Sequence, residues 1–166
     1  AVTDGTPVVI LPGFPTSAVF TFYEFVAPVI RRLGGRADQS PTLQSATLPM
    51  RVNSEKGRTE YLLVSLAEHG SGLAAYPMGK GSGSVTTFSG ADGFLTIPSQ
   101  TEYLDAGTSV EVELLGRQLT PADLIVIGSH CVGLDYLLGL LQQQGFSVKS
   151  LFVGSNGGLA AYPMGK

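Results

Sequence analysis

Short strand patterns separated by turns fill the middle of the chain and constrain its fold most. Apolar and polar residues alternate, partly or fully, in segments such as 60–66 (EYLLVSL) and 110–114 (VEVEL). Such alternation predicts half-buried strands. The predicted strands are 46–52, 59–67, 72–77, 93–98 and 109–115, with turns at 56–57, 69–70, 92–93 and 105–107. Strands at this spacing predict a small antiparallel barrel or sandwich.

The first 35 residues predict one strand followed by one helix. Residues 8–11 (VVIL) form an apolar run between prolines, which is typical of a short buried strand. We expect Thr16-Ser17 to cap a helix from about Ala18 to Leu33, with Pro28 kinking or restricting it and Gly34-Gly35 ending it. Because one strand cannot form a sheet alone, this unit is expected to belong to a larger domain or to pack on a neighbour.

The last third of the chain predicts a strand–helix–strand unit. The segments are 124–127 (LIVI), 134–144 and 146–153, with Gly145 ending the helix. This order is typical of a parallel βαβ unit. The predicted fold class is therefore mixed α/β, with a small antiparallel β-barrel flanked by a strand–helix remnant and a truncated βαβ unit. The predicted domain boundaries are 1–38, 39–117 and 118–166.

Composition excludes several classes of function. The net charge of −3 and the pI of about 5.3 argue against nucleic-acid binding, which needs a basic face. No apolar stretch reaches the roughly 20 residues that cross a bilayer, and no basic leader is present. The one cysteine, Cys131, cannot form an internal disulfide, which fits a reducing compartment, and we predict a small buried thiol there. The chain begins without Met, so we expect a longer or processed gene product.

A nine-residue segment occurs twice without change. Residues 72–80 (GLAAYPMGK) recur as 158–166. The flanking sequences differ and there are only two copies, so this is not a solenoid period. An identity of this length is not chance, and it indicates a chimaera, an error of sequence assignment or an artefact of cloning.

Three segments are candidates for anion binding. The turn 12–18 joins a predicted strand to a helix N-terminus, so it is either an anion site or a stiff connection. Arg51, Lys56 and Arg58 cluster in a turn that either aims them at one anion or simply faces solvent. The loop 79–84 fails the Walker pattern, yet Ser82 or Ser84 is expected to cap a short helix whose N–H groups could hold an anion.

Polar residues also follow both strands of the βαβ unit. Ser129-His130 comes after the first strand and Ser155-Asn156 after the second. Ligands of parallel sheets bind at such strand ends. The alternative is a simple strand-end cap. No acid is evident to orient the imidazole, so the sequence does not support a serine hydrolase.

These segments together resemble the MoeA/gephyrin family of molybdopterin molybdenumtransferases. The stretch 11–18 (LPGFPTSA) is similar to the end of that family's molybdopterin-binding domain, with Phe14 where the family usually has Asn. The stretches 54–61 (SEKGRTEY), 80–84 (KGSGS), 91–93 (ADG) and 107–112 resemble its C-terminal β-barrel domain. The stretch 123–130 (DLIVIGSH) is similar to a periplasmic-binding-protein-like domain fused to some members.

The resemblance implies a cytoplasmic enzyme that inserts molybdate into adenylylated molybdopterin, with Mg²⁺ and release of AMP, in a cleft formed across a homodimer. It implies that Pro12, Gly13, Pro15 and Ser17 shape the substrate loop. Arg58 and Ser82 would line the cleft, with Lys56 and Ser84 as further candidates by proximity. The upstream glycine-rich motif and lysines of the family are absent, so catalytic residues and metal ligands stay unassigned and the chain alone is expected to be inactive.

Two other functions stay open. One is a non-catalytic sensor that binds a small molecule or oxyanion through residues following the βαβ strands, namely Ser129, His130, Ser155 and Asn156. The other is an assembly module, since open edges of the barrel would pair with other chains.

Overall fold

The structure is a computed structural model that describes residues 1–36, 40–69, 72–78, 88, 90–116, 119, 122–152, 154–155 and 158. The chain divides into two compact units, one of residues 1–41 with 80–89, the other of residues 42–79 with 90–166. The first unit contains strands β1 (Val2–Thr3) and β2 (Thr6–Pro7), helix α1 (Pro15–Thr21), a π-helical segment (Phe22–Val26) and helix α2 (Ala27–Leu33).

Pro28 explains the π-helical segment in the middle of the predicted helix. Proline has no N–H to donate to the carbonyl four residues earlier, so the regular α-helical ladder is interrupted there. The N–H of Ala27 instead reaches back five residues to the carbonyl of Phe22. The helix then continues to Leu33 and ends at Gly34, with Gly35 at a φ of 66°. The predicted effect of Pro28 and the predicted helix end are confirmed.

Two predictions for this unit were wrong. Residues 8–11 are not a strand, and Ile10 is 86% exposed. A strand needs a partner for its backbone groups. In the described residues the strands that pair are β1 and β2, which precede residues 8–11 and form a hairpin through Asp4-Gly5. Thr16-Ser17 does not cap the helix either. The fixed φ of Pro15 suits the first helical position, which moves the N-cap back to Phe14.

The second unit is built on a closed barrel. Its strands are β3 (Leu43–Thr47), β5 (Glu60–His69), β6 (Gly72–Pro77), β7 (Gly93–Ile97) and β9 (Ser109–Leu114), in the ring order β3-β6-β5-β7-β9. All pairs are antiparallel except the closing contact of β3 and β6, which is parallel at Thr47 and Ala74. Strands β4 (Val52–Asn53) and β8 (Tyr103–Leu104) pair separately. The predicted mixed α/β class with a small barrel is confirmed.

The structure corrects the predicted strand 46–52 and the open barrel edges assumed by the assembly hypothesis. The predicted strand 46–52 is interrupted between β3 and β4, and Pro49, which lies in the gap, has no N–H for a ladder. Because the five described strands close on each other, the barrel does not present the open edges on which the assembly hypothesis rested.

The barrel core follows the period of two along each strand. Leu62, Val64 and Leu66 alternate along β5 and point into the barrel. They form one apolar cluster with Leu95 and Ile97 of β7. The opposite face of β5 is also buried, at Leu63, Ser65 and Ala67. A strand buried on both faces must be covered from outside the barrel.

That cover includes the strand–helix–strand unit. It consists of β10 (Leu124–Gly128), α3 (Val132–Gln143) and β11 (Val148–Phe152), and the two strands are parallel, in register from Leu124–Val148 to Gly128–Phe152. Leu151 of β11 packs with the barrel residues Ala67, Ala74 and Tyr76. The predicted βαβ unit is confirmed, and Gly145, at a φ of 93°, follows the helix as expected. The three domain boundaries stay a prediction.

Candidate functional site

The basic turn after β4 is pinned by ion pairs to separate carboxylates. Arg58 Nη2 lies 2.6 Å from Glu55 Oε2, and Lys56 Nζ lies 2.9 Å from Glu102 Oε1. Gly57, at a φ of 95°, makes the turn. The two cations are therefore held by different carboxylates rather than aimed at one point.

Arg51 has partners of its own. Its guanidinium lies 4.0 Å above the centre of the Tyr103 ring, and its Nε is 4.0 Å from Asp105 Oδ1. Each of the three basic residues of the predicted anion site thus has a different acidic neighbour. The cluster is charge-compensated, so an incoming anion must displace these carboxylates.

Such displacement costs little on an exposed surface. The side chains of Arg58 and Glu55 are 67% and 70% exposed, and pairs of this kind contribute about 0–1 kcal/mol. A phosphate or oxyanion that accepts two parallel hydrogen bonds from a guanidinium competes well against such a pair. Arg58 is therefore available to a strong anionic ligand even though it is paired in this structure.

The predicted substrate loop lies in the first unit. Pro12 and Gly13 are exposed, Pro15 begins α1, and Ser17 lies inside that helix. Among the described side chains, the hydroxyl of Thr16 is the buried polar group without a hydrogen-bond partner. The loop is thus a proline-bounded helix start, as the stiff-connection interpretation predicts, and whether it binds an anion stays a prediction.

Three further candidates fall outside the described residues. These are Ser82 and Ser84, between β6 and β7 in the sequence, and Asn156 after β11. The second copy of the repeat lies outside them too, apart from Gly158, whereas residues 72–78 of the first copy include β6.

The structure brings the βαβ candidates together at one sheet edge. The parallel register places the ends of β10 and β11 side by side, so the residues that follow each strand meet. The hydroxyls of Ser129 and Ser155 are 2.7 Å apart. His130 lies beside them in sequence, and its ring contacts Phe152 edge-on with the ring centroids 4.8 Å apart.

Two predictions about this edge were wrong. An acid does orient the imidazole, because Asp135 Oδ2 lies 2.6 Å from His130 Nε2. Asp135 is in the first turn of α3, five residues after His130. In the sequence, this contact was indicated by an acidic residue at the start of the predicted helix, close behind the histidine. Cys131 is exposed rather than buried, since it is the N-cap of α3 and its sulfur accepts from the N–H of Leu134 at 3.4 Å.

This edge offers neutral hydrogen-bonding groups and one imidazole–carboxylate pair. Ser129 pairs with Ser155 while His130 pairs with Asp135, so the two neighbours make different contacts and do not form a nucleophile–base pair. Within the described ranges, no group of three or more His, Cys, Asp or Glu side chains is arranged to hold a metal ion. Nor do those ranges contain a helix of the length and hydropathy that crossing a membrane requires.

Comparison with known families identifies the barrel. The model of the family described as "MoeA C-terminal region (domain IV)" matches residues 45–115, which cover the barrel strands except Leu43 and Gln44 at the start of β3. This segment matches the MoeA family. The MoeA family part of the resemblance seen in the sequence is therefore confirmed, whereas the fused periplasmic-binding-protein-like domain stays a prediction.

Two curated relatives carry the name molybdopterin molybdenumtransferase 2. Molybdopterin molybdenumtransferase 2 from Mycobacterium tuberculosis, in strains CDC 1551 / Oshkosh and H37Rv, is 32% identical over 108 residues, which are 65% of this chain and 26% of the relative. The chain thus spans about a quarter of the length of these relatives.

Two archaeal structures match in fold as well. The molybdopterin biosynthesis MoeA protein of Pyrococcus horikoshii superposes with a TM-score of 0.57 and 41% identity, covering 70% of this chain and 28% of that one. A molybdenum cofactor biosynthesis protein from Pyrococcus furiosus gives a TM-score of 0.52 and 28% identity, covering 61% of this chain and 36% of that one.

Proposed function

We propose that this chain is the C-terminal part of an enzyme that inserts molybdate into adenylylated molybdopterin during molybdenum cofactor biosynthesis. The observation that carries the proposal is the closed five-strand barrel whose sequence matches the MoeA C-terminal region. The name of the Mycobacterium tuberculosis relative, molybdopterin molybdenumtransferase, supports the reaction class and the substrates. The chain covers only 26% of that relative, so the activity is proposed for a complete protein and the chain alone is proposed to be inactive.

In this proposal the barrel contributes anion contacts rather than bond-breaking groups. Arg58 is the first candidate, because its exposed pair with Glu55 yields easily to a phosphate or oxyanion. Lys56 is the second, through the equally exposed pair with Glu102. Ser82 and Ser84, and the loop residues Pro12, Gly13, Pro15 and Ser17, stay candidates on the resemblance alone. A homodimer and a cytoplasmic location are part of the same proposal.

Mg²⁺, which the resemblance implies, does not fit the residues described. A magnesium site needs carboxylates and other oxygen ligands on one point, whereas here Glu55 and Glu102 are each paired with a cation. In the described part of the chain no cluster of potential ligands is present. The described residues are therefore not assigned a role in holding Mg²⁺.

A domain exchange tests this function. Residues 45–115 would replace the matching barrel segment of the Mycobacterium tuberculosis relative, and molybdenum insertion into adenylylated molybdopterin would be measured. The hybrid should retain turnover, Arg58→Ala should lower it at least about tenfold, and Glu55→Gln should preserve it because it frees the guanidinium. A folded hybrid without turnover, or an Arg58→Ala hybrid as active as its parent, would refute the assignment.

A second function is supported by the edge of the βαβ unit. The hydroxyls of Ser129 and Ser155 meet at the carboxyl ends of parallel strands, where ligands of such sheets bind. We propose as an alternative that this edge binds an oxyanion or small molecule without catalysis, with His130 and Asn156 as further contacts. Calorimetric titration with molybdate and with sulfate tests it. Ser129→Ala should abolish the heat of binding and Ser150→Ala, an exposed serine of β11, should not.

A further inference from the structure

The carboxylate of Asp92 is fixed by the barrel itself. Its Oδ2 accepts from the N–H of Leu66 at 2.7 Å and from the hydroxyl of Ser65 at 3.2 Å. Its backbone N–H donates to the carbonyl of Val64, and its carbonyl accepts from Leu115. Asp92 therefore presents a charge at a defined point on the outer wall of the barrel, just before β7.

A lysine from the βαβ unit meets that charge. Lys149 Nζ of β11 lies 2.5 Å from both carboxylate oxygens of Asp92. The two side chains are only 19% and 14% exposed, whereas those of the Lys56–Glu102 pair are 70% and 55% exposed. Ion pairs that are largely withdrawn from water differ from exposed ones, because either charge left there alone is unfavourable.

The apolar contact beside this pair has little directional preference. Lys149 and Leu151 lie two residues apart on β11 and therefore on the same face of the strand. Leu151 packs with Ala67, Ala74 and Tyr76 of the barrel, and Met78, Ile125 and Ile127 pack against this cluster. Hydrophobic burial is non-directional, so these apolar contacts alone do not fix a single register of the strand. The ion pair, in contrast, forms at one register only.

We propose that the wall of the barrel around Asp92 is the docking surface for the βαβ unit of the same chain, and that the Asp92–Lys149 pair locks its register. The lock makes the barrel and the βαβ unit unfold as one body. It also holds the edge carrying Ser129 and Ser155 in a fixed orientation to the barrel. The proposal is independent of what either part binds.

The two partners of the lock are not equivalent, and this gives the test its direction. When the lysine charge is removed and the βαβ unit moves away, the carboxylate of Asp92 faces water and keeps its two barrel hydrogen bonds, so the barrel should keep its structure. Removing the Asp92 carboxylate would damage both the lock and the barrel. Lys149→Met is therefore the informative change, because it keeps the apolar stem of the side chain and removes the charge.

Hydrogen–deuterium exchange on the full chain measures the effect by segment. In Lys149→Met the amides of β10 and β11 should exchange at least about tenfold faster, while those of β3 and β9 should change less than about twofold. Lys56→Met is the matched control, since it removes a lysine from an exposed pair, and no segment should change more than about twofold. Lys149→Arg should restore most of the protection.

Three outcomes would overturn the lock. The first is Lys149→Met exchanging like the Lys56→Met control. The second is equal acceleration in β11 and in the barrel strands, which would make the pair a global stabiliser instead. The third is a Lys149→Met chain that fails to fold, because the barrel is predicted to survive; Lys149→Arg without protection in β11 would then weigh against the lock independently.

Discussion

Replacing Gly93 by alanine should be among the most damaging single-methyl changes in this barrel. Gly93 begins β7 and pairs with Val64 of β5 on one side and Leu114 of β9 on the other. An added Cβ would lie 2.5 Å from the carbonyl oxygen of Glu113 and 2.6 Å from Val112 Cγ1. A valine side chain can rotate away, but the carbonyl belongs to the backbone of β9, so the strand itself must shift.

The magnitude follows from the cost of overpacking. Extra methyl groups in a packed core typically cost about 1–3 kcal/mol, and a clash with backbone belongs at the upper end, so we expect a loss of about 3 kcal/mol. Urea unfolding with linear extrapolation measures this loss. Gly72→Ala is the control, because nothing lies within 4 Å of its added Cβ, and it should stay within about 0.5 kcal/mol. A Gly93→Ala loss below about 1 kcal/mol would refute the reasoning.

Three further outcomes follow from burial and charge. Leu66→Ala removes a fully buried side chain of the core and should lower the free energy of unfolding by about 2–5 kcal/mol in the same urea assay. Arg58→Ala should change it by no more than about 1 kcal/mol, because the pair with Glu55 is exposed, and a larger loss would show a structural role. Burial raises the pKa of the Tyr76 phenol above its ordinary 10.0, so its contribution to stability is complete below pH 10 and is lost as the pH rises through the folded-state pKa. Tyr76→Phe should therefore lose less stability than the parent between pH 9 and 11.5, and parallel curves would contradict this.

The barrel was predictable because its information is local. Alternation along 60–66 and 110–114 predicted β5 and β9. Gly57 and Gly107, both at positive φ, lie in the turns that precede these two strands. The failures are also physical. The apolar run 8–11 has strand composition, but composition does not supply a partner strand, and the segment is left irregular and exposed. Gly93, which the sequence placed in a turn, lies at the start of β7, where β9 approaches too closely for a side chain.

The candidate site was predictable in its residues but not in its contacts. The sequence placed Ser129 and Ser155 at strand ends, and the parallel register brings their hydroxyls together. It could not show that Arg58 is paired with Glu55, because a basic cluster and a compensated turn share the same composition. Asp92 and Lys149 are 57 residues apart, and a period of two says nothing about which strand faces which.

Residues beyond the family match pack on the barrel, so the barrel is one part of a larger packed unit. The family match ends at residue 115, yet Leu151 and Lys149 lie against the outer wall of the barrel. An isolated barrel strand turns one face to solvent, whereas β5 is buried on both faces. Ala67 and Ala74 are small enough to let a second strand layer approach closely. The outer face of β5 therefore carries a sequence that suits a covered wall, and a barrel cut after residue 116 would expose that wall and deprive Asp92 of its cation.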